Sequence, residues 1–306
     1  MAAMRALVTG GAGFIGSHLV DALVQRGASV SVVDDLSTGR RERIPDGVTL
    51  HVVDVADAPA MAEAVVAERP EVVFHLAAQV DVRKSVADPV HDARLNVAGT
   101  ASVLEAARAA GARRVLLAST GGALYGETSE LPTPESAPLA PFSPYGASKA
   151  AAETYCGLFT RLHGLSTLAL RFGNVYGPRQ DPHGDAGVIA IFAGATLEGR
   201  AVTIYGDGSQ TRDYVYVGDV VAGFLAAAGS DVTGAVNIGT GLETSVLELV
   251  RAIGAEAATA PERPGEVARS CLDVRRAADV LGWRAEIGLE EGLRRTLAAL
   301  RELRAA

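Results

Sequence analysis

The 306-residue chain predicts an α/β fold, a doubly wound parallel sheet followed by a smaller α/β lobe. Three observations lead there. Short β-branched runs recur through the first half without polar alternation, as strands do when helices cover both faces of a parallel sheet. Alanine- and leucine-rich stretches of helical length lie between them, an order that right-handed crossovers turn into a doubly wound sheet. The first run also leads through a glycine-rich turn straight into the first helical stretch.

Strands fit 6–9, 29–34, 49–53, 71–76, 114–120 and 166–172, with helices over 14–26, 90–110 and 145–163. After Phe172 the rhythm loosens. Residues 173–187 form a loop rich in Gly, Pro, Asn and Asp, and 205–213 form another; such segments sit over sites more often than in cores. Helices come next over 188–198, 217–228, 245–253 and 289–304, and a strand-like 235–238 is expected near the lobe boundary. The two long helices 90–110 and 145–163 could pair with a second copy, which makes a homodimer the expected assembly.

Composition narrows the function. With 48% hydrophobic and 21% charged residues the chain is neither disordered, collagenous nor coiled coil. A span needs about 20 apolar residues, and the apolar stretch 186–197 has twelve, Gly and Thr among them, so no membrane segment is expected. The start, 1–20, loosely imitates a signal peptide, but its glycines, Thr9, Ser17 and His18 read as folded protein. A net charge of −8 argues against a nucleic-acid partner, which needs clustered Lys and Arg. Two cysteines and six histidines show no metal-ligand spacing, so no metal is expected and a reducing cytoplasm is the default.

The segment Arg5-Ala-Leu-Val-Thr-Gly-Gly-Ala-Gly-Phe-Ile-Gly16 reads strand, turn, helix. So tight a turn needs residues that accept positive φ and lack a Cβ, letting a pyrophosphate reach N–H groups at the helix start. Gly10, Gly13 and Gly16 fit one spacing of the dinucleotide motif; Gly11, Gly13 and Gly16 fit the other. Asp34 ends the second strand, eighteen residues beyond Gly16. A carboxylate there accepts hydrogen bonds from the adenosine ribose and repels a 2′-phosphate. No basic residue comes before Arg40, so NAD is favoured over NADP. Asp54 ends the third strand, where it either meets the adenine edge or caps a helix. The expected division is a Rossmann-type NAD-binding domain over 1–172, with segments returning around 213–240, and a mainly substrate-binding lobe over 173–306.

Ser143-Pro-Tyr-Gly-Ala-Ser-Lys149 opens a helix, which places Tyr145 and Lys149 on one face. A phenol titrates near 10 in water, and a fixed ammonium beside it favours the phenolate, a usable base at neutral pH. Of 28 basic residues only Lys84 and Lys149 are lysines, so lysine here is a choice of this position. Thr120 ends the fifth strand, at the carboxyl edge where open α/β sheets bind ligands, and its hydroxyl can bond the oxygen that Tyr145 deprotonates.

Together with Leu95-Asn-Val-x-Gly-Thr100, Arg171-Phe-Gly-Asn-Val-Tyr-Gly-Pro178 and Arg212-Asp-Tyr-Val-Tyr-Val-x-Asp219, these motifs resemble the extended branch of the short-chain dehydrogenase/reductase superfamily. Within it the chain is most similar to the UDP-glucose (galactose) 4-epimerases, over about residues 4–283. The resemblance implies that Asn96 steadies the Tyr/Lys relay, and that Phe14, Ile15, Asp35, Val55, Leu76, Ala77 and Ala78 line the NAD site. It also implies that Asn174, Arg212 and Arg263 meet the diphosphate of a UDP-sugar, that Tyr205 lies near the uracil, and that Val188 and Thr203 contact the substrate.

The fate of the 4-keto intermediate decides the product. The similar 4,6-dehydratases carry Asp-Glu directly after the active-site Thr, and the related decarboxylases a nearby Glu. Here Thr120 is succeeded by Gly121-Gly122-Ala123-Leu124-Tyr125, with nothing to act at C5 or C6, so the expected reaction is epimerisation at C4. The position that is large in glucose-restricted relatives falls on Ser270, which leaves room for an N-acetyl group. Arg179 either pairs with a uronic acid carboxylate, making a UDP-glucuronate 4-epimerase the alternative, or is an ordinary loop arginine.

Overall fold

The structure, a computed structural model, describes residues 3–182, 187–262 and 267–305. Its central feature is a seven-stranded sheet. Six strands come in chain order: β1 Arg5–Thr9, β2 Ser29–Val33, β3 Thr49–His51, β4 Val72–His75, β5 Arg114–Thr120 and β6 Ser166–Phe172. Across the sheet they lie in the order β3, β2, β1, β4, β5, β6, with the strand Gly234–Ile238 outermost beside β6. β1 pairs in parallel with both β2 and β4, so the chain winds outward in two directions from the β1/β4 junction. In such sheets ligands sit outside the carboxyl ends of the strands at that switch point.

By contacts the chain falls into two compact units. The first comprises 1–120, 143–171 and 221–236; the second comprises 121–142, 172–220 and 237–306. The sequence reading places the main division near 172 with segments returning around 213–240; in the compact units 221–236 packs within the first and 121–142 within the second.

In the first unit, successive strand residues face opposite layers. Leu7 and Val73 enter a cluster with Met61, Val65, Val103, Leu104 and Ala152, from the helices Ala58–Glu68, Gly99–Ala109 and Pro144–His163. Phe74, one residue on, turns the other way and meets Phe224 edge-on, ring centroids 6.0 Å apart. Helices on both faces account for the missing polar alternation. The helix expected over 90–110 is interrupted: Pro89–Ala93 runs into a wider π turn, Arg94–Ala98, before Gly99–Ala109 resumes the ordinary pitch. The extra residue in that turn directs Asn96 into the protein, where it is 2% exposed.

The second unit is built from short strand pairs. Asn174–Tyr176 runs parallel to Tyr214–Tyr216, Val202–Tyr205 parallel to Ala257–Ala260, and Thr211–Arg212 antiparallel to Thr244–Ser245. Two buried polar residues knit its loops. Asp213 accepts from the Thr240 N–H and hydroxyl (both 2.7 Å) and from the N–H groups of Gly241 and Leu272. Asn237 takes the Tyr125 hydroxyl (2.8 Å) and donates to the Thr133 and Asp273 carbonyls. Among the described residues no helix is long and apolar enough to cross a membrane.

Candidate functional site

The glycine-rich turn resolves the two possible spacings of its motif. Gly10 has φ +70° and sits where a Cβ would lie 2.7 Å from the Ala77 nitrogen, so it makes the sharp turn against β4. Gly16 packs onto the Gly10 carbonyl, and a Cβ on Gly13 would lie 3.1 Å from that same oxygen. Gly11 instead packs on Val32. The helix Phe14–Gln25 therefore starts directly at the turn, with the half-buried Phe14 and Ile15 as its first residues. Its first N–H groups have no partner within the helix, which suits them to an anion.

Asp34 is tied to that turn. One carboxylate oxygen accepts from Ala12 N–H and the other from Leu36 N–H, each at 2.9 Å. Burial pushes its pKa up, against the opposing pull of the two N–H groups. Asp35 is an exposed turn residue that accepts from Ser37. Asp54 accepts from Ala56 N–H and pairs with Arg94 at 2.9 Å; the helix cap considered for it belongs to Asp57. Val55 is buried in the core against Gly99, and Leu76 and Ala77 donate their N–H groups to the Thr9 hydroxyl, with Ala78 next in the chain. No motif signalled His75, which is buried between the Thr9 and Thr100 hydroxyls at 2.7 and 3.0 Å. Burial and the nearby Lys149 cation hold it neutral, its pKa pushed down to about 3. Thr100 donates in turn to the Asn96 carbonyl, so one chain of hydrogen bonds joins the glycine turn to the π turn.

Tyr145 and Lys149 lie in the first turns of the helix Pro144–His163, capped by Ser143, whose hydroxyl accepts from Gly146 N–H at 3.1 Å. The Tyr145 and Thr120 hydroxyls are hydrogen-bonded to each other. Lys149 Nζ donates to the Ala118 carbonyl at 3.0 Å, near the end of β5. The expected acidic phenol is corrected here. Burial first, then the Asp92 carboxylate, push Tyr145 above its usual value, with the Thr120 bond opposing, and Lys149 is not among the causes. Burial instead drags Lys149 down to about 8, against the pull of Asp92, Glu153 and Cys156. In a dry site, desolvation penalises the charged form of each group, and neither figures among the causes of the other's shift.

Behind the pair, Asn96 is joined by residues that motif reading missed. It donates from Nδ2 to the Gln79 carbonyl (2.9 Å) and to Asp92 (3.0 Å), and its Oδ1 accepts from Gln79 N–H. Ser148 donates to Asp92. Glu153, one helical turn past Lys149, accepts from Ser119 and pairs with Arg171, the two side chains 10% and 7% exposed. The i, i+4 spacing from Lys149 was the available signal for Glu153.

In the second unit, Tyr205 ends its strand opposite Ala260, and its carbonyl accepts from Gln210 at 2.9 Å. Arg212 donates to the Thr211 carbonyl, which also takes the Ser270 N–H at 3.2 Å. These contacts bring Tyr205, Arg212 and Ser270 into one neighbourhood. Thr203 is exposed two residues before Tyr205 on the same strand, and Val188 opens the helix Val188–Leu197. Asn174 N–H donates to the Asp213 carbonyl at 2.6 Å, and Arg179 adopts φ +69° in the turn after Pro178. Arg263 lies outside the described residues. Gly121 packs on the Leu272 side chain, where a Cβ would lie 2.7 Å from Cδ1, so a longer residue after Thr120 would displace the end of that leucine. Among the described residues no His, Cys, Asp and Glu cluster could hold a metal ion.

Comparison with known proteins agrees with this geometry. The model of the NAD dependent epimerase/dehydratase family matches residues 6–239. The chain is 48% identical to a UDP-glucose 4-epimerase of Mycolicibacterium smegmatis, over 97% of this chain and 99% of that one. It superposes on the UDP-glucose 4-epimerase of Thermotoga maritima crystallised with UDP-glucose, with a TM-score of 0.95 and 44% identity, covering 98% and 99% of the two chains. The Thermus thermophilus UDP-glucose 4-epimerase in complex with NAD gives a TM-score of 0.92 and 46% identity, with coverage of 97% and 99%.

Proposed function

The chain belongs to the NAD dependent epimerase/dehydratase family, and from that premise we propose that it is an isomerase that inverts C4 of a UDP-hexose through a 4-keto intermediate. It interconverts UDP-glucose and UDP-galactose with tightly bound NAD. One observation carries the reading most directly: two hydrogen-bonded hydroxyls, Tyr145 and Thr120, with Lys149 behind them at the carboxyl edge of β5.

The residues fit the cofactor. Gly10, Gly13 and Gly16 keep the turn free of side chains, the N-terminal turn at Phe14 and Ile15 offers N–H groups to the pyrophosphate, and Asp34 has lone pairs left for the ribose hydroxyls. When bound, NAD supplies the reversible two-electron oxidation at C4 and is restored within each turnover. Tyr145 Oη takes the proton of the C4 hydroxyl and later returns it, while Thr120 Oγ1 holds that same oxygen in place. Lys149 contributes a fixed positive charge that favours the phenolate Tyr145 must adopt before it can take that proton, which then leaves it a phenol until the proton is returned. Arg212, Asn174 and Arg263 are assigned to the diphosphate, Arg212 and Arg263 by charge-assisted bonds, Tyr205 to the uracil, and Val188 and Thr203 to the substrate. The glycines at 121 and 122 support epimerisation over elimination, because no acid follows Thr120 to act at C5 or C6.

An NMR product assay across UDP-hexoses, UDP-N-acetylhexosamines and UDP-uronates, with no NAD added, tests this. UDP-glucose and UDP-galactose are expected to interconvert, and UDP-N-acetylglucosamine to be epimerised as well, because Ser270 leaves room at C2. Protein that retains bound NAD yet forms no C4 epimer would refute the reading, and turnover of UDP-glucuronate alone would shift it to the alternative carried by Arg179. We also propose a cytoplasmic homodimer. Cys156 and Cys271 are unpaired thiols, and the exposed Val90 and Leu162, near the two helical stretches, are apolar surface a second copy would cover. Sedimentation at a monomer's mass would contradict the dimer.

A further inference from the structure

Resting on the 4-epimerase reading, we propose that Asp92 is a positioning residue of the reaction: its sealed carboxylate is the fixed counter-charge that decides how the Tyr145–Lys149 pair holds its protons. Asp92 is 1% exposed. Its oxygens take Ser148 Oγ on one side and, on the other, Asn96 Nδ2 at 3.0 Å and Gln79 Nε2 at 2.9 Å. All three donors are neutral, and Asp92 makes no ion pair among the described residues. An ionised carboxylate held only by dipoles keeps its field in a low-dielectric interior, where a unit charge is felt well beyond contact distance. That field falls on the catalytic pair, because Ser148 lies between Tyr145 and Lys149 in the chain and its hydroxyl points at Asp92.

The surrounding charges leave Asp92 a distinct part. On the pair's own helix stand Glu153 and Cys156, and Glu153 is already neutralised by Arg171 from β6. His75 from β4 stays neutral. Arg83, Lys84 and His91 are exposed, Arg94 is paired with Asp54, and Glu105 and Arg108 pair with each other at the surface. Asp81, buried beside the same Gln79, is spent on capping Arg83 and Lys84 N–H groups, so among the described groups Asp92 is the buried anion without a paired cation that acts on both Tyr145 and Lys149. Its charge favours the ammonium of Lys149, which burial would otherwise strip of its proton, and disfavours a phenolate on Tyr145 in the resting enzyme. Both effects have the same sign on a pH axis: each raises the pH at which its group loses a proton.

The test is the pH profile of kcat/KM for UDP-galactose, measured on the enzyme as purified with its NAD. Asp92→Asn keeps the size and one acceptor oxygen while removing the charge. Both limbs of the bell-shaped profile are expected to move to lower pH, by about one unit, the lower end of the shift that a neighbouring charge produces. Ser148→Ala removes a hydrogen bond and leaves the charge, so its limbs are expected to stay in place even if the maximum falls. Asp92→Ser, shorter and neutral, provides a second variant if the asparagine form does not fold. Limbs that stay in place or move to higher pH in a folded neutral variant overturn the proposal. Inactive wild-type enzyme would instead overturn the epimerase reading, which keeps the two failures apart.

Discussion

Tyr145→Phe is expected to lower kcat by about 10²- to 10⁴-fold, the range that a positioned acid–base group contributes, while the fold survives. The phenol ring stays, so packing at the start of the helix Pro144–His163 is preserved; only the oxygen bonded to Thr120 is lost. Because the substrate's diphosphate and base are assigned to other residues, KM should change far less than kcat. Steady-state rates for UDP-galactose, with thermal melts of both proteins, decide the point. A variant turning over near the normal rate would remove Tyr145 from proton transfer.

Arg171→Met is expected to cost about 3–5 kcal/mol of stability, the loss seen when one partner of a buried ion pair is removed. Arg171 Nη2 lies 2.7 Å from Glu153, its Nε also donates to that carboxylate, and both side chains are almost fully buried. With Arg171 gone, Glu153 keeps the Ser119 hydroxyl and the more distant Lys149 charge but loses its paired cation, and must be buried charged or take up a proton. Combining Arg171→Met with Glu153→Gln removes the stranded charge and keeps an acceptor for Ser119, so much of the loss should return. Urea unfolding of the single and double variants measures this. A double variant no more stable than Arg171→Met would show that the charge is not the cause.

The strands and the glycine turn were legible because each rests on a local pattern. Leu7 and Val8 are apolar whichever layer they face, and Gly10 must be glycine to hold φ +70°. The Tyr145/Lys149 spacing was legible for the same reason, since four residues along a helix is about one turn. Asp54 shows the limit: a carboxylate at a strand end fits a cap or a ligand equally well, and only the fold shows that Asp57 takes the cap and that Arg94 pairs with Asp54. The π turn at Asn96 was invisible, because its composition is that of an ordinary helix and only the bonds to Gln79 and Asp92 reveal its purpose.

The order of residues along the chain was enough to determine the layered α/β architecture, the preference for NAD and the placing of Tyr145 and Lys149 one turn apart on a single helix, since periodicity, glycine geometry and helical spacing act over a few neighbours. The charge states around that pair were decided only in three dimensions. Burial, Asp92 and Glu153 reach Tyr145 or Lys149 from separate parts of the fold or from the next turn, and a group's proton affinity depends on all it meets in a medium that screens little. That is why an acidic tyrosine was expected where the folded protein holds a reluctant one beside a weakened lysine.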